Sequence, residues 1–154
     1  MKLKKQSIII LSALVMILSG FKIINGEKKD SPLVNWTDIE QAQALTKENP
    51  KNVFIDFTAK WCGWCKVMDK KTFSDPAVAK YMNENYYSVK MDFDSDKIFN
   101  YLGKEYTAKQ LAKKYGVTGL PTMLLASSDF GNVIQIVGFQ KAGPFMKKLK
   151  QFNE

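Results

Sequence analysis

Histidine and arginine are both absent from the 154 residues, and only two cysteines occur. Without histidine, Ser-His-Asp and Cys-His catalysis are excluded. Covalent haem attachment is excluded too, because it needs His directly after the second cysteine of a Cys-x-x-Cys pair, where this chain has Lys66. A four-ligand zinc site would have to recruit carboxylates for half its ligands, so neither a metal nor another cofactor is expected. Without arginine there are no bidentate contacts to phosphate or guanine, and the 23 lysines are scattered, so nucleic acid is not an expected partner. No internal repeat, low-complexity tract or long heptad pattern is present, and the expectation is one globular domain, monomeric, with a short extension.

The charge is uneven along the chain. The formal net charge is +8, but residues 1–26 hold four lysines and no acid; beyond them 19 lysines face 15 acids, a balance of +4. Lys2, Lys4 and Lys5 precede an apolar run from Ile8 to Leu18. That run is shorter than the ~20 residues a spanning helix prefers. It reads as a signal peptide over 1–26, with an uncleaved N-terminal anchor as the alternative, since no A-x-A cleavage pattern follows. Either reading puts the domain outside the cytoplasmic membrane, periplasmic or extracytoplasmic. Residues 27–35 are polar and contain Pro32, which suits a linker, and the domain is expected over 36–154.

Both cysteines fall in Trp61-Cys62-Gly63-Trp64-Cys65-Lys66. An apolar strand-forming run broken by one acid, Val53-Phe54-Ile55-Asp56-Phe57-Thr58, precedes them, and a helical stretch runs on to Phe73. Cys-x-x-Cys between a strand and a helix is a setting for thiol–disulfide chemistry. A helix opening near Cys62 turns unpaired N–H groups and the positive end of its dipole toward that sulfur. The thiolate is thereby stabilised, and its pKa is expected to fall from about 8.5 toward roughly 7 or below. Cys65, one turn further on, is expected to be the more buried, with Cys62 attacking a partner disulfide and Cys65 resolving the mixed disulfide.

The remaining elements follow from periodicity and punctuation. Thr37-Asp38-Ile39-Glu40 resembles a capping box, predicting a helix from Asp38 to Lys47 stopped by Asn49-Pro50. Asp75-Pro76 opens a helix over 77–85, and Tyr87 to Phe93 alternates as a strand with Val89, Met91 and Phe93 on one face. Residues 94–106 are irregular and carry Phe99, Tyr101 and Tyr106, which serve either a peripheral core or a substrate groove. Thr107 caps a helix through Tyr115 ended by Gly116, strands follow at 122–126 and 133–137, and Gly143-Pro144 opens the last helix. An early βαβ unit and a late hairpin predict an α/β fold, a mixed sheet with helices on both faces.

With Asp56, the Trp61–Lys66 motif and Gly119-Leu120-Pro121-Thr122 in place, the chain resembles the thioredoxin-fold family from about Asn35 to Asn153. More narrowly it is similar to exported thioredoxin-like proteins and to the C-terminal periplasmic domain of the membrane thiol:disulfide interchange reductase. Thr72-Phe73-Ser74-Asp75-Pro76-Ala77-Val78, the Phe130-Gly131 turn and Gly138-Phe139 carry that likeness. The resemblance implies a redox disulfide Cys62–Cys65, with Cys62 the nucleophile and Cys65 the resolving thiol. It implies that Asp56 is a buried acid accepting the resolving cysteine's proton, and that Lys90 on the neighbouring strand supports it. Pro121 matches the family's cis-proline, with Leu120 and Thr122 offering backbone to an extended substrate, and Trp61, Gly63 and Trp64 lining the substrate surface. Trp61 is expected to pack under the loop.

Trp64 departs from the family, standing where cytosolic thioredoxins carry proline and the strong periplasmic oxidase carries histidine. Tryptophan cannot give the thiolate a charged hydrogen bond, which argues against an extreme oxidant. The leading expectation is an exported reductase of protein disulfides that draws electrons from a membrane-embedded donor of the thiol:disulfide interchange type. An oxidase or isomerase of higher potential uses the same residues, and a Cu(I)-binding module uses the same sulfurs, although it gives Asp56 and Pro121 no task.

Overall fold

A computed structural model describes residues 33–154 of the chain. The expected targeting segment 1–26, and linker residues up to 32, lie outside the described residues. Strand β1 covers Trp36–Thr37, α1 Ile39–Glu48 and β2 Asn52–Thr58. Helix α2, Gly63–Met68, runs straight into a π-helical turn at Asp69–Phe73, and α3 spans Pro76–Asn85. Then come β3 Tyr86–Asp92, a hairpin of β4 Phe99–Tyr101 and β5 Lys104–Tyr106, α4 Ala108–Lys114, β6 Thr122–Ala126, β7 Val133–Val137 and α5 Ala142–Asn153.

Five strands form one mixed sheet in the order β1-β3-β2-β6-β7. β3 lies parallel to both β1 and β2, while β6 is antiparallel to β2 and β7 to β6. β2 is central, and Val53 through Phe57 are all buried, as a strand covered on both faces requires. Its period of two divides the core. Val53, Ile55 and Phe57 join α1, α4 and the β4–β5 hairpin on one face. Phe54 turns to the other, into the cluster built by α2, α3 and α5 around Phe73, Met82, Phe145 and Leu149. Asp56 shares the parity of Phe54 and therefore projects toward α2. The mixed sheet with helices on both faces agrees with the α/β arrangement expected from the element order and with the thioredoxin fold that the resemblance implies.

Local chemistry sets the helix ends. Asp75 accepts hydrogen bonds from the N–H groups of Ala77 and Val78, with Pro76 at the first helical position. Thr107 and Gln110 exchange the two bonds of a capping box. At α1 the cap differs from expectation: Asp38, not Thr37, accepts from Gln41 N–H at 2.8 Å. Thr37 is committed to β1, opposite Val89, and Glu40 instead accepts from Asn100 N–H at 3.0 Å.

That last bond fastens the 94–106 region. Its hairpin turns through Leu102 and Gly103, both at positive φ (53° and 79°), a two-residue turn whose twist suits paired strands. Gln43 of α1 bonds both Asn100 C=O and Leu102 N–H at 2.8 Å. Phe99 and Tyr101 are buried in the main core, Tyr101 edge-on to Phe130 and sharing a hydrogen bond with Tyr115. These aromatics fill core and line no groove at the cysteines. Packing also reaches upstream of Trp36, where the composition reads as linker: Val34 is buried and Asn35 N–H donates to Asn83.

Candidate functional site

Cys62 and Cys65 are joined as a disulfide at the start of α2. Cys62 is the N-cap, and Cys65 N–H donates to its sulfur at 3.1 Å. A sulfur that accepts a helix-terminal N–H is better placed to hold negative charge. The expected difference in burial is not seen: Cys62 is 4% exposed and Cys65 3%. Bonded together, both sulfurs pack with Ala59 against Phe93 and Leu120. Gly63, the first helical residue, is exposed with open space around it.

The two tryptophans flank this disulfide at the surface. Trp61 is 66% exposed and does not pack under the loop; its indole N–H reaches outward to Asp94 at 2.6 Å. Trp64 is 62% exposed and lies against Phe139, ring centroids 5.6 Å apart. Beside them the Leu120–Pro121 peptide is cis. Leu120 is half-buried, and Pro121 C=O accepts from Gly138 N–H at 2.8 Å. Thr122 is buried in β6 with ladder partners on both sides, Phe57 and Val137. The main chain not taken up by the sheet is therefore upstream of it, at Leu120.

The acid lies on the α2 side of β2. Asp56 is 2% exposed, and its Oδ1 accepts no hydrogen bond from the protein. Burial pushes its pKa up from 3.8 to about 7, Lys90 opposes that shift, and Asp69 adds to it. Lys90 is the register partner of Asp56 across β2 and β3, and its ammonium pairs with Asp69 Oδ1 at 2.5 Å. Asp69 follows Cys65 by one turn, with its own N–H bonded to Cys65 C=O. Residues four apart share a helix face, so Cys65 lies on the face of α2 turned toward Lys90 and Asp56. One surface thus gathers a disulfide and a cis-proline loop, and the buried carboxyl on the α2 side of the sheet has a pKa raised toward neutral pH.

The structure brings Cys62, Cys65, Leu120 and the two tryptophans to one surface, with Asp56 and Lys90 behind it. Two participants have no place in the sequence reading, and a third, Phe139, enters it only as part of the family likeness. Asp69 has a usable signal in its spacing of four from Cys65; Asp94 has none, because tertiary folding alone brings it to Trp61. Among the described residues no group of three or more Cys, Asp or Glu side chains could hold a metal ion, and no helix is long and apolar enough to cross a membrane.

Residues 39–153 match the family of thioredoxin-like domains. The DsbD thiol:disulfide interchange protein of Photorhabdus laumondii is 32% identical over 118 residues, 75% of this chain and 19% of that protein. The Campylobacter jejuni DsbD is 29% identical over 133 residues, 85% of this chain and 21% of its own length. The chain thus spans about a fifth of these curated relatives. Among solved structures, the C-terminal domain of Neisseria meningitidis DsbD in its oxidised form superposes with a TM-score of 0.56 at 28% identity, covering 73% of this chain and 90% of that one. A DsbH oxidoreductase gives a TM-score of 0.63 at 20% identity, covering 88% and 95%, a likeness of fold.

Proposed function

The chain belongs to the thioredoxin-like family, and from that premise we propose that it is an extracytoplasmic thiol–disulfide oxidoreductase that reduces disulfides of exported proteins. The observation that carries the reading is a Cys62–Cys65 disulfide capping α2, with Asp56 buried behind it at a pKa of about 7. In the reduced protein the Cys62 thiolate attacks one sulfur of a substrate disulfide. A mixed disulfide forms, and the departing substrate thiolate takes a proton from water. The Cys65 sulfur then attacks the Cys62 sulfur and gives its proton to Asp56. The second substrate thiolate leaves, and the Cys62–Cys65 bond closes. Two electrons have passed from the dithiol to the substrate.

Trp61, Trp64 and Leu120 form the surface on which the substrate segment rests, with main chain at Leu120 available for strand-like pairing. Each cycle ends with an oxidised pair, so a donor must reduce it again. Similarity to part of DsbD supports a membrane-embedded dithiol of the interchange type in that role, and supports a location outside the cytoplasmic membrane.

Turnover tests this reading. With dithiothreitol as donor, the wild-type chain is expected to accelerate the reduction and precipitation of insulin at pH 7, and Cys62→Ser is expected to leave the uncatalysed rate. A wild-type protein whose pair is fully reduced by dithiothreitol, yet which gives no acceleration, contradicts it.

A further inference from the structure

Lys90 is held by more than its ion pair. Its ammonium sits 4.7 Å from the centre of the Trp36 ring and 5.7 Å from that of Phe73. Those two rings meet edge to face at 5.2 Å, and both lean on Phe54. Topology explains the convergence. Trp36 stands opposite Ser88 in the β1–β3 ladder, and Lys90, two residues on, shares that face. Phe54 and Asp56 carry the same face across β2, while Asp69 and Phe73 close over it from the π-helical turn.

We propose that Trp36 and Phe73 form an aromatic box that positions the Lys90 ammonium between Asp69 and Asp56, making Trp36 a positioning residue for the proton chemistry of the Cys62–Cys65 pair. The proposal rests on the oxidoreductase reading for its consequence in turnover, but not for its geometry. A lysine side chain has many rotamers, and one that is 30% exposed gains hydration by swinging outward. Two ring faces offset that pull, since each attracts a cation held over it. Held inward, the charge favours the ionised form of Asp56; released, it leaves burial and Asp69 to raise the pKa further.

The other charges near this point are few. Lys60 from the loop after β2, Lys66 of α2, and Asp92 of β3 line the same cleft as Asp69 and Lys90. β1 and β6 contain no charged residue, and α3 and α5 face the cluster with Val78, Ala79, Met82, Phe145 and Leu149.

The test follows the Asp56 carboxyl carbon by NMR across pH in the oxidised full chain. Trp36→Leu, which keeps an apolar side chain but removes the ring, is expected to raise the Asp56 midpoint by about half a pH unit. Trp36→Phe is expected to restore most of it, and Phe73→Leu to reproduce the rise from the other wall. In a Lys90→Met background, Trp36→Leu is expected to change nothing further. An unchanged midpoint in both single ring-removing variants overturns the proposal, as does an acid-ward shift, which would mean that the rings only exclude water. An equal rise without Lys90 overturns it too. Failure of insulin turnover alongside the expected titrations would count against the oxidoreductase reading alone.

Discussion

Cys65→Ser is expected to turn a transient encounter into a stable covalent adduct. When the reduced variant meets a disulfide-bonded protein, Cys62 attacks as before. No neighbouring thiol then displaces the product, and the mixed disulfide accumulates. Intramolecular attack owes its speed to position, and its loss should slow release by at least about a thousandfold. Gel electrophoresis without reductant should show the adduct, and dithiothreitol should dissolve it. Cys62→Ser, with the nucleophile gone, should form none. The near-equal burial of the two sulfurs makes this an informative contrast, because exposure does not separate their roles. What separates them is local: Cys62 is the residue whose sulfur accepts a helix N–H, and Cys65 lies within the helix, one turn from Asp69. Adducts through Cys65 in the Cys62→Ser protein would reverse the assignment.

Asp56→Asn should make the protein more stable, by an amount that depends on pH. The carboxyl titrates near 7 when folded and near 3.8 when exposed. Below about pH 4 it is protonated in both states and contributes no difference. As pH rises from 4 to 7 the unfolded state ionises first, which favours unfolding; above 7 the penalty is constant, at roughly 4 kcal/mol as an upper figure. Asn has the same shape and no charge to desolvate, so the gain in urea unfolding should be roughly 2–4 kcal/mol at pH 8 and close to zero at pH 4. Lys90 keeps Asp69 as its partner in the variant, so its charge is not stranded. Turnover should move the other way, falling about a hundredfold near pH 7 as the proton acceptor for Cys65 is lost. A stability gain that is the same at both pH values would show that Asp56 is not a buried acid with a raised pKa.

Much of this arrangement is legible in the residue order. Val53 to Thr58 and the strand at 122–126 stand where their apolar runs put them, since central strands covered on both faces leave an unbroken apolar signature, and the edge strand at 133–137 stands where the turn residues before it put it. Asp56, Cys62-Gly63-Trp64-Cys65 and Leu120-Pro121 together carry the family resemblance that implies the fold. The parts that escaped are those that local pattern does not encode. Trp36–Thr37 is too short for a period of two to register, so Trp36 stands in the sequence only as the first residue of the expected domain and Thr37 as part of a capping pattern, with no sign of β1 or of an aromatic partner for Lys90. The hairpin over 99–106 contains three charged or amide side chains among its aromatics, and its turn uses a leucine at positive φ instead of asparagine or aspartate. Its stability comes from Gln43 and Glu40 of a distant helix. The family resemblance implies a Trp61 packed beneath the loop, but a hydrogen bond to Asp94, outside the motif, holds it at the surface.

The direction of electron flow hangs on one quantity, the equilibrium potential of Cys62–Cys65. Trp61 and Trp64 flank the disulfide, so their fluorescence reports its state in glutathione or dithiothreitol buffers. A reductase of exported proteins should give a value near the thioredoxin range, roughly −270 mV. A value between about −120 and −180 mV would contradict that direction and make the same site an oxidase or isomerase.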